Sequence, residues 1–215
     1  MRARTWLLGV AAAAAFTGAR AGNEFDYCLL CHGTNGNGNY GIRAPKVSGV
    51  ETWYLKRQLE NFAAGIRGAP AGDAPGHEMA PVALRLREEG QLDAAVAFLS
   101  KLDPKKPAPT VSGDIAHGRK LYETCTACHG ARGEGSAQLQ APALASRSDW
   151  YLVTQLVNYR EGLRGADARD ALGAQMRAIA ATLPDDTAIA DVVAYINTFS
   201  GLTPHVGKAV DATAP

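Results

Sequence analysis

The sequence predicts an all-α chain in which two copies of one helical unit stand in tandem, joined by a proline-rich linker and preceded by a cleaved export signal. Three observations predict it. The chain matches itself at an offset of 97 residues with no gap needed. Apolar residues recur at the helical period in both copies, and no alternating, strand-like run competes with them. Between the copies, Leu102 to Thr110 holds three prolines in nine residues, which suits an extended, semi-stiff spacer. With 215 residues and 47% hydrophobic content, the chain is long enough for two small cores.

Taken in order, residues 1–21 read as an export signal: Arg2 and Arg4, an apolar core from Leu7 to Phe16, and a small-x-small site at Ala19, Arg20 and Ala21. About ten apolar residues is half of what a bilayer core requires, which argues against an uncleaved anchor. Cleavage removes three of the 22 Lys and Arg and none of the 21 acids, leaving a formal charge near −2. That excludes a strong nucleic-acid footprint.

The first unit is placed at 22–102, the linker at 103–111, the second unit at 112–202 and a tail at 203–215. Leu55, Gln58, Leu59 and Phe62 form one helical stripe, repeated by Leu152, Gln155, Leu156 and Tyr159. Each unit closes with a helix: Leu92, Ala95, Val96 and Leu99 match Ile189, Val192, Val193 and Ile196. Pro184, Asp185 and Asp186 mark the start of the second closing helix. A helix from about Gly113 onward, with Ile115, Gly118, Leu121, Tyr122 and Cys125 on one face, opens the second unit. Its counterpart in the first unit would lie inside the export signal, so that opening helix is expected to be a stub beginning about six residues before Cys28.

The cysteines carry the chemistry. Four cysteines in an exported chain usually form two disulfides. Here they stand as Cys28-Leu29-Leu30-Cys31-His32 and Cys125-Thr126-Ala127-Cys128-His129. Two thiols separated by two residues reach the two vinyl groups of one porphyrin, and the next residue, histidine, is then held against the iron. Zinc would explain neither the following histidines nor the export signal, and a thioredoxin-like pair belongs in a βαβ context that is absent. The motifs predict two covalently bound haem c groups.

Apart from Met1 the chain has two methionines, Met79 and Met176, each 47 residues beyond its motif histidine. They are expected as sixth ligands, although methionine at a helical position commonly fills a core. The predicted iron ligands are therefore His32, Met79, His129 and Met176. Such ligation raises the potential and closes the iron to small ligands, which suits electron transfer. Pro45 and Pro142, each 13 residues past the histidine, match a loop proline whose carbonyl accepts the imidazole hydrogen. Trp53, Tyr54 and Arg67, with their copies Trp150, Tyr151 and Arg164, are candidates for the haem wall or the propionates; helix packing explains them equally well. His77, whose counterpart is Ala174, reads as a surface or propionate-side residue, and His117 and His205 as solvated. The loop from Gly33 to Gly41 reads as the turn leaving the motif, since no strand precedes it to make a phosphate cradle.

These motifs, with the Tyr-Leu-x-x-Gln-Leu runs from Tyr54 and Tyr151 and the Gly-x-Arg triplets ending at Arg67 and Arg164, resemble a tandem class I cytochrome c. Within that group the chain is similar to the dihaem cytochrome c4 family over nearly all of 22–202. The resemblance implies a periplasmic shuttle, loosely membrane associated, with two facing haem domains passing single electrons towards a terminal oxidase or reductase. The short opening helix and the unpaired His77 depart from that pattern. A non-catalytic haem subunit of a periplasmic dehydrogenase is the alternative. A dihaem enzyme, such as a peroxidase or a sulfur-compound oxidase, is disfavoured by the paired methionines.

Overall fold

The computed structural model describes residues 23–199. The expected export signal, the tail and His205 lie outside them. Among the described residues there are eight α-helices and no strand: α1 Tyr27–His32, α2 Thr52–Ala63, α3 Ala74–Glu88, α4 Leu92–Ser100, α5 Ile115–His129, α6 Asp149–Arg160, α7 Ala171–Ala180 and α8 Asp186–Asn197. α1 to α4 make one half and α5 to α8 the other. Two isolated β-bridges, Asn39 with Ala44 and Ser136 with Ala141, occupy equivalent places in the two copies.

Each half folds around the face that its periodicity marks. Leu55, Gln58, Leu59 and Phe62 of α2 are all buried, and α2 packs on α3 and α4. In the second half α6 packs on α7 and α8, and Ile189, Val192, Val193 and Ile196 fill the core. Asp185 caps α8 by accepting from the Ala188 amide at 2.8 Å. α3 and α7 start on equivalent caps: Asp73 accepts from the Gly76 amide and Asp170 from the Gly173 amide.

The opening helices differ as the repeat implies, six residues in α1 against fifteen in α5. α5 lies across α8, and Gly118 lets the two backbones meet: a Cβ there would fall 1.9 Å from the Asp191 carbonyl oxygen. Gly113 also abuts Asp191, so the contact is made by two glycines and Ile115 falls beside it. Ile115, on the same face, is itself 52% exposed. His117 is not simply solvated either. Its Nδ1 lies 2.8 Å from Asp191 Oδ2, and that bond holds the Asp191 carboxyl below its ordinary range. α1 keeps the far end of this arrangement: Phe25 is buried against Phe98, as Tyr122 is against Tyr195.

Residues 101–114 carry no helix and are tied down at both ends. Asn37 accepts from the Lys105 amide at 2.7 Å, and Asp149 accepts from the Thr110 and Val111 amides at 2.6 and 2.8 Å.

Candidate functional site

The two halves dock face to face, and most of the bonds between them come in pairs related by the repeat. The Lys46 amide donates to Ser148 Oγ, and the equivalent Ala143 amide donates to Glu51, the counterpart of Ser148. Arg43 donates to Thr154, while Arg57, the counterpart of Thr154, donates to Gln140, the counterpart of Arg43. Such self-complementary pairing is an isologous interface, here within one chain.

At its centre lies a closed ring of four side chains. Arg67 donates to Gln58 Oε1 at 2.8 Å and to Gln155 Oε1 at 3.0 Å, and Arg164 donates to Gln155 Oε1 and to Gln58 Oε1, both at 2.7 Å. Tyr151 accepts from Arg67 at 2.7 Å and Tyr54 from Arg164 at 3.1 Å, each across the interface. Both arginines are buried, stacked on Phe62 and Tyr159, and neither bonds a carboxylate. Burial pushes the Tyr54 hydroxyl up, but Arg164 and Arg67 beside it outweigh that and hold it below its ordinary range. Lys46 is a further buried cation, and Arg147, its side chain 8% exposed, pairs with Glu51. Burial, with Arg147 nearby, pulls the Lys46 ammonium down to about 8.

Around this ring runs one continuous cavity of ≈ 680 Å³, lined by both Cys-Cys-His sets and by Met79 and Met176. No disulfide joins the four cysteines: Cys31 and Cys128 lie at the surface and Cys28 and Cys125 are half-buried, one helical turn away. Burial raises the Cys28 thiol and takes that of Cys125 up to about 11. His32 Nδ1 lies 2.7 Å from the Pro45 carbonyl oxygen and His129 Nδ1 2.7 Å from that of Pro142. A carbonyl only accepts, so each Nδ1 carries the hydrogen and each Nε2 keeps a lone pair. Burial holds both imidazoles below their ordinary range, hence neutral. The motif must then turn away sharply: Gly33 has φ +75°, and a Cβ there would meet the Gly38 carbonyl oxygen at 2.6 Å.

A covalently held haem in each cleft fits these groups. The thiols stand one turn apart on helices ending in the ligand histidine, a thioether sulfur lines the same cavity, and buried cations await anionic groups. Arg67 Nε is itself buried without a partner. Pro45, Pro142, Tyr54, Tyr151, Arg67, Arg164 and Trp150 all line the cavity. Trp53 does not: it packs edge-on against Tyr54, with the Arg57 guanidinium 5.1 Å above its ring. His77 is exposed, its Nδ1 3.2 Å from the Gly68 carbonyl oxygen. Gln58, Gln155, Glu51, Lys46 and Arg147 were not singled out for the site from the sequence. A glutamine repeated inside an apolar stripe was the signal for the first two.

The family model for cytochrome c matches residues 19–103 and again 115–200. The chain is 32% identical over 178 residues to the cytochrome c4 of Azotobacter vinelandii, covering 79% of this chain and 82% of that one. It is 31% identical over 163 residues to a thiosulfate dehydrogenase electron acceptor of Stutzerimonas stutzeri (strain A1501), 71% of each chain. Among solved structures it matches a thiosulfate dehydrogenase from Marichromatium purpuratum with a TM-score of 0.63 and 32% identity over 80% of this chain, but spans only 36% of that longer chain. It matches reduced cytochrome c4 from Pseudomonas stutzeri with a TM-score of 0.59 and 29% identity, covering 79% of this chain and 92% of that one. With two haem-attachment motifs on two helical halves and relatives that are electron carriers over most of its length, the chain belongs to the cytochrome c family, as a cytochrome c4-like electron-transfer protein carrying two covalently bound haem c groups.

Proposed function

We propose that this protein works in the periplasm, taking single electrons from a dehydrogenase and handing them to a terminal oxidase or reductase. Cys28 and Cys31 would hold the first haem, with His32 and Met79 on its iron; Cys125, Cys128, His129 and Met176 would do the same for the second. What the group supplies when bound is a one-electron redox couple. The residues around it do the rest. The Pro45 and Pro142 carbonyls orient the imidazoles. Met79 and Met176 would close the remaining position to small ligands. Arg67 and Arg164 would serve the propionates, and Tyr54, Tyr151 and Trp150 would line the wall. The observation that carries the reading is that both Cys-His-Met sets open into one shared cavity inside a docked pair of halves.

The relatives named as thiosulfate dehydrogenase electron acceptors support a sulfur-compound dehydrogenase as donor. Anaerobic mixing tests this: thiosulfate with a thiosulfate dehydrogenase should reduce the protein, and thiosulfate alone should not. Reduction by thiosulfate alone would make the chain an enzyme.

One observation favours a permanent subunit over a free shuttle. Ala94 and Ala97 on α4 are exposed, whereas their counterparts Asp191 and Ala194 are buried, Asp191 against the opening segment of the second half. Gel filtration from native cells separates the two: a particle of one chain's mass means a shuttle, a larger complex a subunit.

A further inference from the structure

The repeat makes the two sides of the junction between the halves equivalent, yet they are not filled alike. One side is closed by the chain's own basic side chains. Arg57 lies over Trp53 at 5.1 Å and donates to Gln140 Oε1 and to the Gln140 carbonyl, both at 3.0 Å. Arg169 likewise crosses the junction and donates to the Ala64 carbonyl at 3.3 Å. On the other side Thr154 stands in the place of Arg57, Gly72 in that of Arg169, and Val153 and Val157 in those of Lys56 and Glu60. With those long side chains gone, a cleft of ≈ 540 Å³ remains, and all four replacements lie in its wall.

That wall is apolar and slightly acidic. Ile42, 50% exposed, joins the two valines, and Tyr40, 61% exposed, stands edge-on against Trp150 two residues before it. The charged groups in the wall are Arg43, which donates to Thr154, and the carboxylates of Glu78 and Asp73. Asp73 caps α3 through Oδ1, and its Oδ2 is buried without a hydrogen-bond partner. On the closed side the counterpart of Glu78 is the neutral Gln175. An apolar cleft with an excess of carboxylate, shaped by the loss of two arginines, fits a guanidinium group, whose flat faces pack on apolar surface while its donors reach acceptors at the edge.

We propose that this cleft docks the electron donor, which inserts an arginine side chain of its own surface between the halves as Arg57 and Arg169 do on the opposite side. This rests on the reading that a sulfur-compound dehydrogenase is the donor. Asp73, Pro75 and Glu78 line the larger cavity together with Met79, so a donor seated here stands against the first haem site.

Thr154→Arg and Gly72→Arg test the proposal by giving the open side the side chains of the closed one. At Gly72 a Cβ would meet the tip of the Leu163 side chain, at 2.9 Å. Binding of the doubly loaded protein to thiosulfate dehydrogenase, read by surface plasmon resonance, should weaken about tenfold or more in each variant, the scale of losing an interface anchor. The kcat/KM for its reduction should fall in step, while haem content and both potentials stay as they were. Glu78→Gln should weaken binding about two- to fivefold and flatten its salt dependence, and Lys56→Ala on the closed side should leave the affinity unchanged. Unaltered affinity in both arginine variants overturns the proposal. So does weaker binding with shifted potentials in both, because the fault then lies in the haem sites. The two readings fail differently: if thiosulfate and its dehydrogenase leave the unsubstituted protein oxidised, the donor reading falls and the proposal with it, whereas normal reduction of both arginine variants removes the docking site alone.

Discussion

Met79 and Met176 reach the cavity from α3 and α7, helices started by the same aspartate cap. Met79→Ala should open the first iron alone: its potential falls, cyanide binds there, and about half of the weak near-infrared methionine-to-iron absorption is lost. Potentiometry with near-infrared spectroscopy reads all three, and a variant with both potentials intact shows that Met79 is no ligand. These residues were legible because the attachment motif is contiguous and a constant offset carries it from one copy to the other. The arginine ring was not. A repeat says which residues are equivalent, but not that Arg67 bonds Gln155 of the other copy as well as its own Gln58. The two tryptophans show the same limit. Arg57 lies over Trp53, and the equivalent position by Trp150 is Thr154; Trp150 instead meets Tyr40, whose counterpart Ala137 has no ring.

At the scale of elements, α1 and α5 show how much of an opening helix a half requires. The buried ring of Phe25 is all that α1's leading segment contributes to its core. Phe25→Ala should therefore destabilise the first half by about 3 kcal/mol through loss of a buried aromatic, read by denaturant unfolding followed at the first haem. In the second half, Gly118→Ala would place a methyl against the Asp191 carbonyl and force α5 away from α8. A loss of about 1–3 kcal/mol from overpacking is expected, confined to the second half in a thermal melt. An unchanged melting temperature would mean that the crossing is looser than described. The stub was legible because the repeat places the counterparts of α5's first turns in the segment whose composition reads as an export signal. The pairing of His117 with Asp191 was not, since Ala94 takes the equivalent place and leaves the repeat silent. The linker's extended character followed from its prolines, but its ties to Asn37 and Asp149 depend on tertiary placement.

For the whole molecule, the decisive feature is that two like halves meet through like faces and enclose one cavity. The sequence showed two units and a proline-rich connection between them. It could not show which faces meet, because each pair of cross-bonds joins positions that are not equivalent to one another. A face-to-face pair suits a carrier that holds two electrons and releases them singly. The most direct measurement is a reductive titration of the purified protein, counted per chain and followed both at the haem bands and at the near-infrared methionine-to-iron band. The account predicts two electrons per chain and methionine absorption at the strength of two sites. One electron per chain, or an oxidised spectrum with the methionine band of only one haem, would contradict it.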